Sequence, residues 1–214
     1  MEENQKKSNK MIIGVMIVVI IIAAIIGIAF AINNNKNGDN GGNVENNQPS
    51  SNVQINSGED MVNLINTVYE GQDSILPSSL MTQTVDISNA DVLKSYTGLT
   101  SDENIDAAVA SEPMMSSQAY SFVLVKVKDG ADANAVAKEM SENVDTRKWI
   151  CVEAEKLYAT SVDNLAVLIM ASDEWATPVY NKLLEVLGAH GEEYVKDNSN
   201  AFENQGIVGE GIPE

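Results

Sequence analysis

The chain has 214 residues, with 31 Asp and Glu against 13 Lys and Arg, which gives a formal net charge of −18 at pH 7. Because such an acidic surface repels nucleic-acid phosphates and anionic lipid headgroups, the composition argues against nucleic acid as a partner. The single cysteine, Cys151, excludes an internal disulfide, so the folded part has to be held together by a hydrophobic core.

Residues 11–32, MIIGVMIVVIIIAAIIGIAFAI, contain no charge, no proline and no hydrogen-bonding side chain. A helix of this length reaches roughly 33 Å and is long enough to cross a hydrocarbon core of about 30 Å. Three lysines precede the segment, and only Lys36 follows it closely. The positive-inside rule therefore predicts a transmembrane signal anchor, with residues 1–10 in the cytoplasm and everything after the segment outside.

Cleavage of the N-terminal segment is the alternative. Ala29-Phe30-Ala31 has the A-x-A form of a signal-peptidase site, and cleavage after Ala31 would give a secreted soluble protein. The apolar run before this site is longer than the about 7–15 residues of an ordinary signal peptide, which favours retention. Both alternatives place the folded part outside the cytoplasm.

Residues 33–58 are rich in Asn and Gly and have no apolar periodicity, which predicts a disordered linker. Ser57 and Asp60 have the spacing of a capping box at the start of a short amphipathic helix. Its predicted buried residues are Met61, Leu64, Ile65 and Val68. A short strand is predicted in SLMTQTVDIS, and a helix capped near Ser88 is predicted to end at Gly98.

Two strands are predicted in residues 104–115 and 119–128, with a turn at Ser116-Ser117-Gln118 between them. A helix over about 131–148 follows, because apolar residues recur there at helical spacing. The predicted buried stripe of this helix consists of Ala133, Val136, Ala137, Met140 and Val144.

CVEAEKLYAT and NLAVLIMAS predict a second hairpin, which turns at residues 161–163. Thr177 before Pro178 predicts the start of a last helix, and Gly188 predicts its end. The order ββαββα predicts an α+β fold: an antiparallel sheet from two β-hairpins, with one face covered by helices, behind an N-terminal transmembrane helix. The predicted domain spans residues 59–188, and residues 189–214 are predicted to be an acidic flexible tail.

The stretch SSQAYSFVLVKVKDGADANAVAKEMSENVDTRKW, followed by NLAVLIMASDEW and VYNKLLEVL, resembles the DUF4358 family. The resemblance rests on Met114-Met115, Ala119-Tyr120, the Val-Lys-Val-Lys strand and Arg147, and it covers roughly residues 59–188. It implies an exported or membrane-attached bacterial domain of unknown function, and it supplies no catalytic residues. Many members resemble lipoproteins with a cysteine at the export segment, whereas this chain has an apolar helix there.

The chain offers few residues for acid–base or metal chemistry. His190 is its only histidine and follows the last predicted helix, where the helix dipole favours a cation. One His and one Cys do not supply a zinc site, and Cys151, beside apolar residues, is predicted to be a small buried hydrophobe. We therefore predict no catalytic residues, no metal site and no cofactor.

Glu153 and Glu155 are the best candidate pair of catalytic carboxylates. Two residues apart on a strand, they would share a face about 6.6 Å from each other, a separation that suits an inverting glycosidase. The simpler interpretation is a solvated face paired with Lys126 and Lys128 across the sheet.

These observations favour a non-catalytic protein-binding or scaffolding module at the cell envelope, anchored through residues 11–32 and serving an unidentified envelope protein. The alternatives are an extracytoplasmic hydrolase that uses carboxylates and a secreted soluble factor. Met114, Met115 and Trp149 are candidate contact residues, although residues of these types are more often buried in the core.

Overall fold

The computed structural model describes residue 51 and residues 53–199. The predicted membrane segment 11–32 with its cleavage site, most of the predicted linker, and residues 200–214 of the predicted tail lie outside the described residues. Within the described part, no helix combines the length and the hydropathy needed to cross a membrane.

Four helices and six strands follow one another along the described residues. Their order is α1 (Gly58–Tyr69), β1 (Leu80–Thr84), α2 (Ala90–Thr97), β2 (Ile105–Pro113), β3 (Tyr120–Val127), α3 (Ala133–Asn143), β4 (Lys156–Val162), β5 (Leu165–Ala171), α4 (Asp173–Leu187) and β6 (Tyr194–Asp197).

The six strands form one antiparallel sheet in the order β1-β2-β3-β5-β4-β6. The predicted α+β class, the two hairpins β2–β3 and β4–β5, and the order ββαββα are confirmed. The hairpins join at the centre of the sheet, where β3 pairs with β5 and Val123 lies opposite Leu168.

Helices cover both faces of the sheet, so the prediction of a single covered face is wrong. Helices α2 and α3 pack on the face that carries Val123 and Val125, whereas α1 and α4 pack on the face that carries Phe122 and Leu124. The physical reason lies in β3 and β5, which are apolar at almost every position and so require cover on both sides.

The predicted helix signals are confirmed at three ends. Ser57 and Asp60 form the expected capping box, in which the Ser57 hydroxyl accepts from Asp60 N at 3.2 Å. Gly98 and Gly188 end α2 and α4 in the left-handed conformation. Helix α3 ends at Asn143 rather than near residue 148, because the chain turns to an extended conformation at the next residue.

Helix α4 begins at Asp173, so the predicted start at Thr177 and Pro178 is wrong. Ala176 is fully buried, and its burial extends the apolar face of the helix by one turn toward the N-terminus. Pro178 therefore lies inside the helix, while the Thr177 hydroxyl donates to Asp173 Oδ1 at 2.6 Å.

The folded part begins before residue 58, so the predicted linker is too long at its C-terminal end. Ile55 is buried in the core, and its carbonyl accepts from Asn164 Nδ2 at 3.1 Å. The backbone of Ser51 donates to Asp163 Oδ2 at 2.9 Å. The chain therefore enters the domain beside the β4–β5 turn.

The folded part also continues past residue 188, where a loose tail is predicted. Residues Tyr194–Asp197 form β6, which pairs with the outer edge of β4. An ion pair between Lys156 and Asp197 closes the end of this ladder. Residues 194–197 form a strand because the outer edge of β4 is free to pair with them. Their own short sequence does not indicate this pairing.

Candidate functional site

One end of the sheet carries two irregular segments, the β2–β3 turn (residues 114–119) and the α3–β4 loop (residues 144–155). The backbone N–H of Ile150 donates to the carbonyl of Ser116 at 2.9 Å, which holds the two segments together. With the first turn of α4, the last turn of α2 and the end of β2, they form what we call the cleft surface.

The cleft surface contains three shallow clefts of about 300, 180 and 250 Å³. Neighbouring clefts share lining residues, so the three form one continuous depression in the protein surface. The first is lined by residues that include Ser95, Tyr96, Glu112, Met114, Lys148 and Trp149, the second by Arg147, Trp149, Cys151, Val152 and Glu153, and the third by residues that include Gln118, Cys151, Glu155, Ser172, Glu174 and Trp175.

Three large apolar side chains of the cleft surface face solvent. Met114 is 73% exposed, Met115 is 54% exposed and Ile150 is 65% exposed. The expectation that Met114 and Met115 belong to the core is wrong, because β2 ends at Pro113 and the two methionines begin the turn. Trp149 is half-buried and packs against the core, as expected.

Cys151 is exposed, so its predicted role as a buried hydrophobe is wrong. The segment around it is not a strand, and the backbone of Cys151 has φ +60°. This left-handed turn directs the chain along the surface between the second and third clefts.

Glu153 and Glu155 lie in the loop before β4 and not on a strand, so the predicted shared strand face is wrong. Glu153 forms an ion pair with Arg147, whose Nε lies 3.3 Å from Glu153 Oε2. Glu155 Oε2 accepts from the backbone N–H of Asp173 at 2.9 Å, and so caps the N-terminus of α4. Each carboxylate thus has a structural partner within the fold.

The expected pairing of these glutamates with Lys126 of β3 and with Lys128, which directly follows β3, is also wrong. Strand β3 lies between β2 and β5, so β4 is not its neighbour. Lys126 instead pairs with Asp106, and Lys128 donates to the carbonyl of Glu103 at 2.7 Å.

An ion pair in the first cleft was not predicted from the sequence. Lys148 Nζ lies 2.5 Å from Glu112 Oε1, and both side chains are largely buried. The same ammonium lies 5.0 Å from the ring centroid of Tyr96 and 5.4 Å from that of Trp149. Burial and the Glu112 charge raise the pKa of Tyr96. The available signal was a glutamate near the end of a strand with an apolar centre.

Buried aromatic residues support the cleft surface from below. The Tyr120 hydroxyl donates to that of Tyr69 at 2.9 Å, and the Tyr120 ring meets Trp175 edge-on at 6.4 Å. Burial raises the pKa of Tyr69 to about 12 and places that of Tyr120 well above its ordinary value. These neutral hydroxyls are part of the core and fix the position of Trp175.

His190 lies just past the end of α4, as predicted, and away from the candidate carboxylates. Its Nδ1 is 2.9 Å from the carbonyl of Gly191, and the N–H of Gly191 donates to Ser161 O at 2.6 Å. Ser161 is near the end of β4, whereas Glu155 precedes its beginning. Among the residues that the structure describes, no cluster of His, Cys, Asp and Glu side chains is arranged to hold a metal ion.

Comparison with known proteins gives no match to a family model, a curated protein or a solved structure. The resemblance to DUF4358 therefore stays a prediction.

Proposed function

We propose that the chain is a non-catalytic protein-binding module, anchored outside the membrane by residues 11–32, and that the cleft surface is its binding site. The observation that carries the proposal is the solvent exposure of Met114, Met115 and Ile150 beside three clefts. Large apolar side chains exposed together are typical of protein-interaction sites.

The composition of the cleft surface supports the same proposal. Methionine adapts its shape to a partner, and tryptophan and tyrosine are the residues that most often dominate binding energy. Tyr96, Trp149 and Trp175 line the clefts, and core contacts hold Trp149 and Trp175 in place. The surface thus combines fixed aromatic anchors with adaptable methionines.

The position of the linker also favours this surface. Ser51 joins the domain at Asp163, beside the β4–β5 turn, whereas the cleft surface lies at the other end of the strands. The eight residues of β3 span roughly 24 Å between these ends. The described residues through which the chain enters the domain therefore do not line the clefts.

Photocrosslinking in membranes tests the proposal. A benzophenone amino acid replaces Met115 in one variant and Val195 in a control, since Val195 is 55% exposed on β6. We expect a discrete adduct from position 115 that disappears when Met114 and Ile150 are replaced with Ser. Equal adducts from both positions, or none from position 115, would contradict the proposed binding site.

The same experiment separates this proposal from a carboxylate hydrolase. With Glu153→Gln, Glu155→Gln and His190→Ala combined, we expect the adduct from position 115 to persist. If these changes instead abolished a hydrolytic activity on envelope glycans or peptides while the fold stayed intact, the hydrolase would replace the binding module.

A further inference from the structure

Tyr96, Glu112 and Trp149 surround the ammonium group of Lys148, and we call these three residues the ammonium box. The ammonium contacts the Glu112 carboxylate at 2.5 Å and lies about equally far from the two ring centroids, at 5.0 and 5.4 Å. Two aromatic rings and one carboxylate are the groups that proteins use to bind organic cations. The structure thus contains a cation site that a side chain of the same chain occupies.

Two walls of the ammonium box are held by residues other than Lys148. The buried hydroxyl of Ser121 donates to Glu112 Oε1 at 2.6 Å and orients the carboxylate from beneath. Gln83 Nε2 donates to the Tyr96 hydroxyl at 2.7 Å. Because these contacts come from β3 and β1, we expect both walls to keep their positions when the lysine leaves.

We propose that the ammonium box is a binding site for an organic cation, a lysine or methylated ammonium group, and that Lys148 fills it as an exchangeable occupant. The cleft of about 300 Å³ beside the box offers room for an entering group. Lys148 lies on the irregular α3–β4 loop, outside the strands and helices, so that only its side chain has to leave the box. The net charge of −18 attracts cations toward the domain.

This inference rests on the proposed function in one respect only, namely that the cation belongs to a protein partner. A basic side chain of that partner would enter the box while Met114 packs beside it, since Met114 lines the same cleft. Lys148 would then move outward, and its charge would be available to solvent or to the partner. The box therefore selects for partners that present a cation.

Titration with tetramethylammonium chloride tests the box without any partner. The full-length protein in detergent carries Trp175→Phe, so that Trp149 is its only tryptophan, and sodium chloride keeps the ionic strength constant. We compare the fluorescence of this protein with that of Lys148→Met, Lys148→Met with Glu112→Gln, and the exposed-site control Lys138→Met. Circular dichroism checks the fold of each.

We expect Lys148→Met to bind about tenfold more tightly than the parent, because the internal competitor is gone. Adding Glu112→Gln should abolish binding, and Lys138→Met should match the parent. No saturable signal in folded Lys148→Met, or a Kd equal to that of the parent, would overturn the proposal. Lys148→Gln serves as a second variant. If neither variant folds, the Lys148 side chain is required for the fold and the proposal fails. A negative result here leaves the crosslinking result at position 115 unchanged, so the two proposals fail separately.

Discussion

Gly98, which ends α2, lies directly against the backbone of Val144, which follows α3. A Cβ on Gly98 would be 2.8 Å from Val144 Cα, and Gly98 has φ +78°. The contact joins the two helices that cover one face of the sheet and fixes the start of the α3–β4 loop. Only glycine meets both the steric and the conformational requirement.

Gly98→Ala is therefore expected to destabilise the domain by about 2–4 kcal/mol, through backbone strain and displacement of Val144. Gly130→Ala is the matched control, because Gly130 also has positive φ but has open space around it. We expect the control to lose only about 1 kcal/mol. Urea unfolding followed by circular dichroism measures both, and equal losses would show that the contact with Val144 is unimportant.

A fragment of residues 51–199 is expected to unfold cooperatively, whereas one that stops at residue 188 should be less stable by about 3 kcal/mol. The shorter fragment lacks β6, its four paired residues and the hydrogen bond from the Tyr180 hydroxyl to Glu193. Urea midpoints of the two fragments give the difference. Identical midpoints would mean that β6 adds nothing to the fold.

Acid is expected to weaken the fold through two carboxylates. Hydrogen bonds from Lys156 and Ser199 place the pKa of Asp197 well below its ordinary value, and the backbone of Asn56 and the Ser57 hydroxyl lower that of Asp60. Because both values are depressed by folding, the stabilisation is present above the unfolded pKa of about 3.9 and is lost as the pH falls below it.

Asp197→Asn and Asp60→Asn should therefore be less stable than the parent at neutral pH and lose less stability between about pH 5 and about pH 3. Urea midpoints at several pH values give both slopes. Curves parallel to that of the parent would show that these carboxylates do not carry the acid sensitivity.

The chain is expected to remain in the membrane fraction, with an intact N-terminus. Its uncharged run at residues 11–32 is long enough to span the bilayer and longer than an ordinary signal peptide. Cell fractionation with sequencing of the N-terminus measures this. Recovery from the medium with Ile32 as the first residue would establish a secreted protein instead.

The sequence predicted those parts of the fold whose signals are local. Alternation and helical spacing located β2, β3, β5 and α3, because each buries a regular face. Val123 and Phe122 are adjacent on β3 and lie on opposite faces of the sheet, and the sequence did not predict that both faces would be covered.

The errors concern features that depend on distant residues. Thr177 and Pro178 carry a strong local start signal, but burial of Ala176 moves the start of α4 to Asp173. Strand β6 has only four residues and exists because the edge of β4 is free. No local pattern contains this information.

The candidate site was only partly predictable for the same reason. Met114, Met115 and Trp149 were named as contact candidates, and all three belong to the cleft surface. Glu112 and Lys148 are 36 residues apart, and their contact depends on how the α3–β4 loop crosses the end of β2. Loop paths of this kind leave no periodic signal in a sequence.

The positions of Ser51 and the cleft surface at opposite ends of the strands have a mechanical consequence. A partner that pulled on the cleft surface of an anchored chain would load the sheet along its strands. The hydrogen bonds of an antiparallel ladder run perpendicular to the strands, so this load would act on them in shear. The seven residue pairs between β3 and β5 would then share the load rather than separate one bond at a time.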